Sequence, residues 1–565
     1  MPSARLPRPP FLLTSLSLAC ALAPALAPAL ARADTVFDNA NGYTLDSSSK
    51  LLRFAALAFD DAGKIIAVGG RAEVAARAPG ARHIDIQGKT VLPGLIDAHG
   101  HVFALGQIAS GVQLYSSTSL AAALETVADF GRANPERSWI VGGGWNQEIW
   151  KLGRFPTAAE LDAALPARPV WLERVDGHAG WANSRALQLA GVSRDTPDPA
   201  GGKIARDADG NPSGVLVDNA MGLVNAVLPA ATAGERRAAL DGALAQLAKV
   251  GLTSVHDAGI GVGDDALLRD YAGRGKLTAR VYAMIRGTGA DFDALARGAP
   301  LTSYAGDMYA LRSVKLFADG ALGSRGAALL APYSDEPGTS GLLFNENGAL
   351  LAQMDKAMKA GYQVNVHAIG DAGNRQILDA YAILIKRYGN VGLRHRIEHA
   401  QVVALPDIAR FKSLGIVPSM QPVHATSDMN MAEKRVGPER IKGAYAWRTF
   451  LQQGSKIACG SDFPVESPHP FEGIHAAVTR QDAAGAPAAG WYPEQAMTVT
   501  EALRCFTLDA AYAAHQEKVI GSLEAGKWAD FIVTDQDLFT MPPAGIGKMQ
   551  VLQTWVAGRQ VYKKP

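Results

Sequence analysis

The chain has 565 residues, 48% hydrophobic and 19% charged, which suits more than one packed core and excludes a disordered or fibrous class. Its 55 basic and 54 acidic side chains nearly cancel, and no Lys/Arg track fits a phosphate backbone, so nucleic acid is not an expected partner. Three cysteines are too few for a disulfide framework, and the sequence leaves open whether Cys459 and Cys505 pair.

At the N-terminus Arg5 and Arg8 precede the apolar run FLLTSLSLACALA, and Ala31-Arg32-Ala33 offers small residues for cleavage before Asp34. Residues 1–33 are therefore read as an export signal, which places the mature protein in the periplasm or outside the cell. The alternative is an uncleaved anchor, since residues 11–31 are long enough to span, but Pro24 and Pro28 disfavour a stable helix there. Cys20 follows Ser17-Leu18-Ala19, a poor lipidation signal. Loss of Arg5, Arg8 and Arg32 with the signal moves the net charge from +1 to −2. No later segment reads as transmembrane.

Residues 34–93 alternate in short runs (LLRFAALAF, KIIAVGG, HIDIQGKTVL) that turn at Gly, Asp and Asn, the pattern of small strands. The far end, residues 515–565, has the same texture in GSLEAGKWADFIVTD and VLQTWVAGRQVYKK. The two ends are expected to form one small β-sandwich. Between them, residues 94–514 alternate apolar strands with amphipathic helices, as in VNVHAIGD followed by AGNRQILDAYAILIKRYG, which predicts a parallel α/β core.

Eight strands are expected, ending near His99, Asp257, Met284, Leu316, His367, His399, Met420 and Asp462, the number of a (β/α)8 TIM barrel. The first two are separated by far more chain than one helix needs. The excess, about residues 138–228, holds GGGWNQEIW, PVWLERVDGHAGWANSRAL and GGKIARDADGNPSGVLVD, and is read as a cap beside the barrel mouth.

In VLPGLIDAHGH, His99 and His101 alternate along a strand, share one face and can hold one cation. His367 and His399 end separate apolar strands, where both rings would project over the same mouth. Asp462, in IACGSDFPVE, could bind a metal and accept a proton from its water, or serve as a helix cap. Lys315 lies in the apolar strand SVKLF, where a lone ammonium is costly; it needs an acidic partner such as Asp319, or a modification.

Taken in order, HxH, Lys, His, His and Asp over strands one, four, five, six and eight resemble the amidohydrolase superfamily. The resemblance runs through LPGLIDAHGH, KLFADGALGSR, HAIGD, RIEHAQ, GSDFPVE and LEAGKWADFIV. With DGHAGWANSRAL and SMQPVH it is most similar to the branch of the N-substituted formamide deformylases. The resemblance implies divalent metal, zinc above all, as one ion or two: His99, His101 and Asp462 on a buried ion, His367 and His399 on a more exposed one, and Lys315 carboxylated as a bridge. It implies hydrolysis of a C–N bond in an amide, N-substituted formamide or cyclic amide by metal-activated hydroxide, with Asp462 moving the proton.

The remaining candidates for contact with a small-molecule substrate are Trp145, Gln147, Asp176, His178, Asp319, Arg325 and His424. Trp145 reads equally as cap core, Asp176 and His178 as pins of the insert, and Arg325 as a partner of Asp319. His424 is favoured, because it follows the seventh strand at the face that reaches the metal. His256 and Asp257 read as structural. Two rival readings stand beside the hydrolase of C–N bonds: the same site acting on esters or in deamination or isomerisation, and a non-catalytic periplasmic binding protein. Oligomeric state is open.

Overall fold

The structure is a computed structural model that describes residues 34–345, 347–389 and 392–565. The predicted export signal, residues 1–33, lies outside the described residues. Among the described residues no helix is long and apolar enough to cross a membrane.

Eight parallel strands form the core: β1 (Leu95–Gly100), β2 (Leu252–Ile260), β3 (Arg280–Arg286), β4 (Tyr309–Phe317), β5 (Gln363–Ala368), β6 (Arg396–His399), β7 (Val417–Met420) and β8 (Ala458–Cys459). They pair in sequence order from β1 to β8. The ring closes just past β8, where Asp462 N donates to His99 O at 2.7 Å and His101 N to Phe463 O at 2.8 Å. All six residues of β5 and all four of β6 and of β7 are buried, as expected of a parallel sheet covered on its outer face by helices. Those helices have ordinary stops and starts. The helix Asp371–Tyr388 ends at Gly389 with φ 75°, and Ala233–Lys249 opens on a Thr232/Glu235 capping box.

The two chain ends build one sheet of eight strands, in which Phe531–Thr534 lies antiparallel to Thr90–Pro93 and joins the C-terminal strands to the N-terminal ones. Trp555 and Phe37 stand three strands apart in that sheet, yet their rings lie 5.0 Å apart. Flat strands spaced about 4.8 Å apart would hold the backbones roughly 14 Å apart. The sheet therefore curls around a core of Phe37, Phe59, Phe531 and Trp555.

The insert carries its own six-stranded sheet, from Val112–Gln113 to Pro212–Asp218, and so begins ahead of residue 138, where the Gly-rich texture starts. Its first strand has only two residues, too short to show a period in sequence. Cys459 and Cys505, left open by the sequence, form a disulfide with Cα atoms 5.1 Å apart, tying β8 to the helix Val499–Cys505.

Candidate metal centre

The C-terminal ends of the barrel strands bring the ionisable side chains together. His99 lies in β1 and His101 directly after it, Lys315 near the end of β4, His367 in β5 and His399 at the last residue of β6. His424 sits in the short helix Pro422–Asp428 after β7, and Asp462 follows β8. His399 and Asp462 adopt φ of 73° and 60°, a conformation that costs a non-glycine residue energy and tends to persist at functional sites.

Two triads of donor atoms share Asp462. His99, His101 and Asp462 form one, and His399, His424 and Asp462 the other, each with ligand atoms within 4.8 Å of one another. Asp462 Oδ1 lies 3.1 Å from His101 Nε2 and 3.5 Å from His99 Nε2, while Oδ2 lies 3.9 Å from His424 Nε2. Asp462 Oδ1 and His424 Nε2 are buried without a well-directed hydrogen bond, a costly arrangement that a bound cation relieves. Burial drives His99 down to about 4, helped by the charge of Lys315, and drives His367 and His399 well below the usual imidazole range. Neutral imidazole is the form that ligates metal. Burial opposes the Asp462 charge, but His99, His101 and His399 outweigh it and keep the carboxylate ionised. The residues fit a divalent cation.

His367 lines the same mouth as His399. Its ring lies 4.6 Å from that of His399, but its Nε2 faces Gly320 O at 3.3 Å and Asp319 Oδ1 at 3.7 Å, and His424 completes the second triad. Lys315 has no carboxylate within ion-pair distance among the described residues. Its Nζ lies 3.2 Å from His99 Nε2 and 4.6 Å from the centre of the Phe317 ring, and burial lowers it to about 8. Asp319 is not its partner, because that carboxylate is spent on the backbone N–H groups of Ala328, Ile369 and Gly370.

A set of braces underlies the triads. His99 Nδ1 donates to Glu398 Oε2 at 2.5 Å, and Glu398 in turn pairs with Arg396 at 2.7 Å, all three fully buried. Arg396 also donates to Ala98 O, Ser419 Oγ and His256 Nδ1, which settles His256 as structural. Burial alone would raise Glu398, yet Arg396 and His99 pull it down to about 2. His399 Nδ1 donates to Gln421 Oε1 at 2.7 Å. Asp97 accepts from His99 N and from Ser461 N and Oγ, clasping β1 to the end of β8. None of these partners was among the sequence candidates, although Glu398 stands inside RIEHAQ, Asp97 inside LIDAHGH and Gln421 inside SMQPVH.

The remaining candidates separate cleanly. A cavity of about 590 Å³ opens over the triads between barrel and cap, and His178, Asp176 and His424 line it. Trp145 does not: it is fully buried in the cap, donates to Leu172 O and packs edge-on against Phe155 and Trp181. Gln147 is held by Arg174 at 2.9 Å. Arg325 pairs with Asp335 and Glu336, away from Asp319 and from the cavity.

Comparisons with known proteins agree with this geometry. The profile of the Amidohydrolase family matches residues 82–562. The chain is 36% identical over 545 residues to Protein LONG AFTER FAR-RED 3 of Arabidopsis thaliana, covering 94% of this chain and 92% of that one. It is 30% identical over 544 residues to N-substituted formamide deformylase of Arthrobacter pascens, covering 94% and 98%. A solved structure of an uncharacterized metal-dependent hydrolase from Pyrococcus horikoshii OT3 superposes with a TM-score of 0.73 at 27% identity, over 90% of this chain and 99% of that one. The chain belongs to the amidohydrolase family and is a hydrolase whose donor triads point to a divalent cation.

Proposed function

We propose that the protein hydrolyses a C–N bond of a small amide, N-substituted formamide or cyclic amide, with two zinc ions at the shared-Asp462 triads. The observation that carries this reading is the pair of triads meeting at one carboxylate, directly beneath a cavity of small-molecule size. The His and carboxylate donor set suits zinc. His99, His101 and Asp462 would hold one ion, and His399, His424 and Asp462 the other. Lys315, buried and with no carboxylate in ion-pair distance among the described residues, would take up carbon dioxide on its neutral amine, losing a proton, and so supply an oxygen donor to the centre. Divalent cations held by these residues would acidify a water and polarise the scissile carbonyl. Asp462 takes the water's proton and returns it to the leaving nitrogen as the C–O bond forms and the C–N bond breaks.

The name of the Arthrobacter pascens relative supports the C–N assignment. Export to the periplasm or beyond is supported by the signal-like residues 1–33 and by the Cys459–Cys505 disulfide, which suits an oxidising compartment. Turnover of the metal-replete protein against N-formyl amines, N-acyl amino acids, cyclic amides and esters tests the reaction: hydrolysis of a C–N substrate is expected, and hydrolysis of esters alone overturns it. Elemental analysis of the same sample tests the centre, with about two equivalents of zinc expected and one equivalent overturning the two-ion assignment. N-terminal sequencing of exported protein should begin at Asp34.

A further inference from the structure

The cap contributes a histidine to the centre, and the way it is held fixes what its free nitrogen can do. His178 Nδ1 lies 2.7 Å from Asp218 Oδ1, and the His178 backbone is tied on both sides, its N–H to Asp176 Oδ1 and its carbonyl accepting from Asp218 N. Asp218 is buried, holds a left-handed φ of 51°, and sits so tightly against the loop after β4 that a Cβ at Gly320 or Gly326 would collide with its carboxylate. A strained, immobilised carboxylate facing one imidazole nitrogen is a device for fixing tautomer and orientation. The other nitrogen, Nε2, makes no hydrogen bond among the described residues and is not shut off from water, the side chain being 16% exposed. The ring lies 4.9 Å from that of His367 and lines the main cavity as well as two adjoining ones, which meet beside Lys315.

We infer that His178 is a specificity-determining residue whose Nε2 accepts a hydrogen bond from the N–H of the substrate's scissile amide, with Asp218 as its positioning residue. This rests on the C–N reading above and narrows it to primary and secondary amides. Asp218 can only accept, so the Nδ1 proton stays on the dyad; burial opposes a second proton on the ring, but Asp218 outweighs it and raises the imidazole, so the neutral form belongs to pH above that raised range. Nε2 then offers a lone pair. A secondary amide meets it with N–H, whereas an ester oxygen or an N-methylated nitrogen meets it with another lone pair or a methyl group. An acceptor that the bound substrate shuts off from water and leaves unmet carries the kind of penalty by which a site rejects an analogue lacking the donor.

The test uses three matched compounds on the metal-replete full chain: the secondary amide turned over fastest, its N-methyl counterpart and the corresponding ester. His178→Phe keeps the ring volume and removes both nitrogens. It should lower kcat/KM for the secondary amide by about tenfold or more, and leave the other two within about twofold. Asp218→Asn presents an N–H to Nδ1, reverses the tautomer and turns Nε2 into a donor, so the preference should swing towards the ester. Equal losses on all three compounds, with unchanged metal content and melting temperature, would overturn the proposal. If no C–N compound is turned over, the reaction reading fails, but the dyad is still tested on wild-type protein carrying 15N-histidine: a protonated Nδ1 and bare Nε2 are expected at His178, and a proton on Nε2 alone refutes the assignment.

Discussion

In the proposed reaction Asp462 has two jobs that a neutral side chain cannot do together: it offers an oxygen to each triad and takes up a proton. Asp462→Asn should cut turnover by about 10²–10⁴-fold and lower metal content, while circular dichroism and melting temperature stay near wild type; retained turnover would remove the carboxylate from the mechanism. Glu398 acts at one remove. Its carboxylate fixes the His99 proton on Nδ1 and leaves Nε2 for the cation. Glu398→Gln should weaken metal binding by about 10–100-fold in a chelator competition, and unchanged affinity would reduce Glu398 to a partner of Arg396. The contrast shows what residue types reveal. His99, His101, His399 and Asp462 were legible because ligand chemistry and strand ends coincide in the sequence. Glu398 was not, because the atom it serves is 299 residues away and no local spacing records that. Lys315 was legible as an anomaly, and the proposed partner Asp319 failed only because three backbone donors claim it first.

At the scale of elements, the cap shows where a periodic pattern stops being informative. GGGWNQEIW reads as a strand, but which face of that strand meets a core depends on sheet packing, so Trp145 served equally well as core or as substrate wall. The structure places it in the apolar core of the cap, with Trp150 and Trp181. Trp145→Ala should cost about 3–5 kcal/mol and appear in calorimetry as an earlier transition of the cap, with barrel metal content retained; a single transition that carries the metal with it would mean that cap and barrel unfold as one unit. The helix Val499–Cys505 offers a pH test. Glu501 closes its capping box with Thr498 and pairs with Arg448 at 2.8 Å; burial pushes its carboxyl up, but those partners pull it down to about 2. A folded pKa below the unfolded value of roughly 4.3 means the stabilisation is fully present above that pH and is lost as pH falls towards 2. The gap in melting temperature between wild type and Glu501→Gln should therefore be constant from pH 7 to 5 and shrink between pH 4 and 3. A gap that widens on acidification would contradict the sign.

Across the whole molecule, the strand texture of both ends was legible, but the pairing that unites them, Phe531 opposite Pro93, joins segments at opposite ends of the chain, and alternation alone carries no partner. The sheet is fastened to the barrel by a buried ion pair. Arg280 opens β3 and is wholly buried; its Nε and Nη2 donate to the two oxygens of Asp530 at 2.6 and 3.0 Å, and Asp530 also accepts from Ala557 N. A pair of this kind has a modest net value, because the Coulombic gain is offset by the loss of hydration, yet breaking it strands a guanidinium in the interior. Asp530→Ala should thus destabilise the protein by about 3–5 kcal/mol, measured by denaturant unfolding. Combining Asp530→Leu with Arg280→Met, which removes both charges, should recover most of that loss. If the double variant is no more stable than Asp530→Ala, the pair is needed for more than charge balance, and the bond that Asp530 accepts from the turn at Ala557, inside the end sheet, carries the difference.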